Sequence, residues 1–98
     1  MDGVYANAQC PSFTIGDGAL RFDGGAIPGK VEQGKSGYIF ATEKALRYEL
    51  GQQGCRLVIA DQGALMGAER KGFAAQVIMI KLFSADRSAS MYWTRTGQ

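Results

Sequence analysis

Between Phe13 and Phe22 the chain reads FTIGDGALRF, and no other stretch constrains the fold as strongly. Phe13 and Ile15 fall on one side of an extended segment, Gly16-Asp17-Gly18 interrupts, and Leu20 and Phe22 resume. Apolar alternation around Asp-Gly is the strongest short-range hairpin signal. Strands are therefore expected near 12–16 and 19–23, and this part of the chain reads as an antiparallel hairpin.

The remaining segments extend that reading. A short strand precedes the hairpin at GVYA, and Tyr38, Ile39 and Phe40 mark another. Cys55 to Ala60 reads as a strand, followed by a turn at Asp61-Gln62-Gly63, a short apolar piece at 64–66 and a charged turn at 68–72 that holds Arg70 and Lys71. The most hydrophobic run spans 73–83, and strands at 76–83 and 91–96 form a last hairpin around Ser84–Ser90. The glycine-rich stretch from Asp23 to Gly37 reads as a loop, with at most a short strand around Ile27 or Val31.

Residues 42–50 are ambiguous. Thr42 suits a helix cap, Glu43 its first turn and Gly51 its end, and the residues between are good helix formers. Leu46, Tyr48 and Leu50 also alternate with Arg47 and Glu49 as in a half-buried strand. Propensity and both ends favour a short helix. The run 77–83 adds weight, because Ile78, Ile80 and Leu82 face one way while Val77, Met79 and Phe83 face the other, broken only by Lys81. Something should cover its second face, and the helix is the economical answer ahead of a second sheet or another subunit. The expectation is one mainly β domain spanning residues 1–98, a small antiparallel sheet or barrel of six to eight short strands. The short helix at 42–50 would make it α+β.

Ninety-eight residues bury a modest core, so a covalent staple would help. Cys10 and Cys55 are the only cysteines, and both stand at strand beginnings. A disulfide between them implies a periplasmic or secreted home; two buried thiols would imply the cytoplasm. No leader is visible, since Met1-Asp2-Gly3 lacks a charged start and an apolar segment. No apolar run approaches the ~18 residues of a membrane span.

Charge and composition exclude several functions. Eleven basic and nine acidic residues give +2, and the basic ones are scattered, with only Arg70 and Lys71 adjacent. Nucleic-acid binders carry a basic stripe, so no nucleic acid is expected as partner. The chain has no histidine, which removes Ser-His-Asp and Cys-His catalysis and histidine metal ligation. Its carboxylates form no metal-binding cluster, its glycines match no phosphate-binding loop, and neither cofactor nor metal is expected.

What remains is binding. Lys30, Lys35 and Ser36 could donate to a partner's carboxylates from the glycine-rich loop, and Arg87 and Ser88 occupy the tip of the last hairpin. Without an activating base the serines of that hairpin read as turn residues, and Asp86 and Ser88 can bond nearby backbone N–H groups. Ser88-Ala89-Ser90 followed by Tyr92 resembles a fragment of the bacterial c-type lysozyme inhibitors, small periplasmic β-barrels with a disulfide. The likeness covers a handful of residues and lacks the glycine after the serine, so it carries no function across.

Three readings follow: a non-catalytic module that engages a protein, as a small enzyme inhibitor would; a carrier of an apolar ligand with Tyr38, Phe40, Met79 and Trp93 lining a barrel mouth; and a homo-oligomer that associates through strand 77–83. Trp93 or Tyr92, being adjacent on a strand, should place at least one ring in the core.

Overall fold

The computed structural model describes residues 3–34, 37–42, 44–60, 64–71 and 77–96, with backbone alone at 31–34, 37–40, 64–71 and 77–78. Ten strands account for most of them: β1 Gly3–Ala6, β2 Phe13–Gly16, β3 Ala19–Phe22, β4 Gly25–Gly34, β5 Gly37–Thr42, β6 Ala45–Gly51, β7 Gly54–Ala60, β8 Ala64–Lys71, β9 Val77–Phe83 and β10 Ser90–Thr96. Eight of them pair in a closed antiparallel ring, in the order β1-β10-β9-β8-β5-β4-β3-β2. β6 and β7 form a separate two-stranded sheet. No helix occurs among the described residues.

The opening hairpin forms as its sequence requires. Gly16 pairs with Ala19, and Asp17 and Gly18 both take positive φ, 53° and 74°. That is the reversal whose twist matches the flanking strands. Ile15, Leu20 and Ile27 stand side by side on β2, β3 and β4 and are buried together.

Three expectations are corrected. Residues 45–51 form a strand and not the favoured helix. β6 returns as β7 through Gln52-Gln53, with Gly51 opposite Gly54. Leu46 and Tyr48 bury into the core on one face, and Ala45 and Arg47 are buried on the other. Helix propensity of a few tenths of a kcal/mol per residue is outweighed by that burial. The glycine-rich stretch is likewise strand: β4 pairs with β3 through residues 25–28 and with β5 through 29–34. Pro28 sits at the changeover, where the strand is paired on one side and a missing N–H breaks no second ladder. The charged segment at Arg70 and Lys71 continues β8, opposite Ile78 and Val77. The expected turn at 61–63 lies outside the described residues.

Strand directions place the ends of β1, β3, β5 and β9 at one end of the barrel, with the starts of β2, β4, β8 and β10. The β6–β7 hairpin leaves the wall there, between Thr42 and Ala64. Its contacts reach round the same rim. Cys55 is bonded to Cys10 in the β1–β2 connection, with sulfurs 2.05 Å apart. Ile59 packs beside Gly25, where an added Cβ would lie 3.4 Å from its Cδ1. Tyr48 pairs with Ser84 after β9. The hairpin thus closes that end as a plug, and Leu46, Tyr48 and Leu57 join the inward residues of the wall in one core.

Trp93 is the centre of this core and fully buried. Its ring lies 5.8 Å from Tyr48 and 6.2 Å from Phe13, which stacks on Tyr5 at 5.3 Å. Its Nε1–H donates to Pro11 O at 2.9 Å, so the one polar atom of the ring is satisfied while holding the β1–β2 connection.

The expected cover over the outer face of 77–83 is absent among the described residues. Ile80 and Leu82 point inward, but Lys81 faces solvent and Phe83 is 46% exposed. Tyr92, opposite Lys81 on β10, is 37% exposed. The Lys81 amine lies 5.8 Å from the Phe83 ring centre and 5.7 Å from that of Tyr92. A cation held between two rings makes this wall compatible with water.

Candidate functional site

The connection Ser84–Ala89 leaves the plugged end of the barrel and is held from within. Asp86 organises it: its Oδ1 accepts from Ser84 Oγ at 2.8 Å, Ser88 N at 2.9 Å and Ser88 Oγ at 2.6 Å. Ser84 Oγ accepts from Ala89 N at 3.1 Å. The backbone adds Ser84 N to Ala89 O at 2.8 Å and Arg87 N to Ser84 O at 2.9 Å. Short polar side chains flanking an aspartate favour such local bonds over continued sheet. The bonds from Ser88, side chain first and then backbone, with Ser84 after them, hold the Asp86 carboxyl at about 2, well below its ordinary 3.8. Arg87, at the tip, takes φ 65° and is exposed.

The plug supports this loop from below. Ala85 N donates to Tyr48 O at 2.8 Å, so β6 and the residues after β9 begin a parallel pair. The turn at Arg87 then carries the chain away, and the two separate. A cleft of about 310 Å³ opens between them, lined by Tyr48, Glu49, Leu50, Ser84, Ala85, Asp86, Ser88 and Ala89. Glu49 is paired with Arg56 across the hairpin, with Arg56 Nε 2.7 Å from its Oε1.

Some of the residues anticipated from sequence can be placed. Arg87 and Ser88 share the ordered loop. Lys30 is exposed on β4, with β5 and β8 between it and β9. Lys35 and Ser36 lie outside the described residues. Among the described residues of this set, Lys30 is therefore not a neighbour of Arg87 and Ser88 on the wall. Met79 and Trp93 occupy successive register positions, Met79 opposite Thr94 and Trp93 opposite Ile80, so they point to opposite faces of the wall. The side chains of Tyr38 and Phe40 lie outside the described residues. Trp93 is surrounded by the rings of Tyr48 and Phe13.

Sequence reasoning found Asp86 and Ser88 as turn residues but missed Tyr48, Glu49 and Leu50 as their neighbours. No local signal joins residues so far apart in sequence. Only the unexpected strand at 45–51 brings them together. Among the described residues no helix is long and apolar enough to cross a membrane, and no group of acidic or cysteine side chains could hold a metal ion. No family model, no curated protein and no solved structure matches the chain.

Proposed function

We propose that this chain is a non-catalytic binding module that engages a protein through the loop Ser84–Ala89, in an oxidising compartment such as the periplasm or the extracellular space. Inhibition of an enzyme, by setting this loop into its cleft, is the concrete form of the reading. The observation that carries it is the internal bonding of the loop around Asp86. A contact loop already held in one shape loses little conformational entropy on binding, so more of its contact energy appears as affinity. The Cys10–Cys55 bond supports the compartment, because such bonds persist where thiols are not kept reduced.

Affinity capture from periplasmic and secreted extracts tests the reading, with two variants run beside the unaltered chain. Arg87→Glu reverses the charge at the tip and should weaken retention of the captured protein by at least roughly tenfold. Asp17→Asn, at the far end of the barrel, should leave it unchanged. A captured protein held equally by the Arg87→Glu variant would overturn the reading.

Self-association is a second reading, favoured by the exposed Phe83 and Tyr92 on the outer wall of β9 and β10. Sedimentation should then give a dimer that Phe83→Ser dissolves. A monomer at high concentration excludes it.

A further inference from the structure

We infer that the cleft between β6 and the loop Ser84–Ala89 receives a basic side chain, lysine or arginine, of the protein partner. The inference rests on the proposed role of the loop and names the chemistry it recognises. The cleft exists because two segments that start as a parallel pair at Tyr48 and Ser84 are forced apart by the bond from Arg87 N to Ser84 O. Its volume of about 310 Å³ accommodates one extended side chain with room for water.

The lining selects the occupant. Leu50, Ala85 and Ala89, all exposed, supply apolar surface for a methylene stem, of the kind that lysine and arginine lay along apolar walls while their charged ends stay wet. The two ionisable groups in the wall besides the tyrosine are carboxylates. Glu49 is already paired with Arg56, which leaves Asp86 as the other carboxylate of the wall. Hydroxyl and amide N–H groups bond its Oδ1, and Oδ2 accepts none of those bonds. These bonds also keep the carboxyl ionised at any pH above about 2. A cation entering beside Leu50 meets a fixed, ionised acceptor whose Oδ2 is not engaged by the bonds that hold the loop.

The test is an amide-resolved NMR titration of the whole protein with N-acetyl-arginine methylamide, against N-acetyl-citrulline methylamide, which has nearly the same shape and no charge. The arginine probe should shift the amides of Leu50, Ala85, Asp86, Ser88 and Ala89 and saturate on the order of 1–10 mM, as expected for a single small side chain. The citrulline probe should bind at least roughly tenfold more weakly. Asp86→Asn keeps an oxygen acceptor for the serines and should weaken the arginine probe by a similar factor. Leu50→Lys does the same from an exposed position that leaves the core untouched, so the result stands even if the Asp86 variant disorders the loop. Equal binding of both probes, shifts scattered outside the cleft, or displacement of the arginine probe by calcium would each overturn the inference. So would the absence of any shift, and if Arg87→Glu still lost its captured protein, the loop's role would survive that failure. Arginine bound in the cleft with capture indifferent to both Arg87→Glu and Leu50→Lys would instead overturn the role of the loop.

Discussion

Replacing Cys10 and Cys55 together by alanine removes the disulfide that cross-links the plug to the β1–β2 connection of the barrel wall. The bond joins residues 45 apart in sequence. Closing a loop of that length in the unfolded chain corresponds to ~4 kcal/mol at room temperature on the chain-entropy account. Small domains have total stabilities of about 5–15 kcal/mol, so the double variant should sit near the lower limit for folding. With a urea dependence of about 1.3 kcal/mol per M for a domain this small, the midpoint should fall by roughly 3 M. Trp93 reports the tertiary event directly, because Tyr48 of the plug lies against its ring. Urea unfolding followed by Trp93 fluorescence and by far-ultraviolet circular dichroism should give one shared, lowered midpoint. A loss below about 1 kcal/mol would refute the reasoning, since the constrained loop could not then be a main source of stability. Two separated transitions would refute it differently, by showing that the plug melts on its own while the barrel stays folded.

Trp93→Phe removes the donor to Pro11 O and leaves a gap in the aromatic core. It should cost on the order of 2–3 kcal/mol in chemical denaturation, and an unchanged midpoint would show that the β1–β2 connection is held by the disulfide alone. Asp86 provides a pH prediction. Its folded-state value of about 2 lies below the ordinary 3.8, so its contribution to loop order is complete above 3.8 and is lost as pH falls through 2. Carboxyl NMR should place the Asp86 midpoint near 2, and a midpoint near 3.8 would mean that the serine bonds do not persist in solution.

Some features of this protein were legible in short stretches because the forces behind them are local. Asp17-Gly18 takes its turn from backbone sterics, and the alternation at 13–22 sets which side chains meet the core. The loop at Asp86 closes with bonds between residues two to five apart, and its turn character was visible in the serines around it. The pairing of Cys10 with Cys55 was also within reach, since a single pair leaves no choice of partner.

Residues 45–51 and 25–34 were not legible, for one reason. Their local preferences were weak or divided, and partners distant in sequence decided them. Leu46 and Tyr48 gain more from Trp93 and the barrel core than the segment would gain as an isolated helix. The glycines of β4 lack side chains to signal a strand, but β3 and β5 supply the hydrogen-bonding partners. The candidate site inherits this division. Sequence determined its loop, Asp86 with Ser84 and Ser88. Tertiary structure alone decided that the loop should rest on Tyr48 and open a cleft toward Leu50, because that wall belongs to a strand whose identity depends on the core it fills.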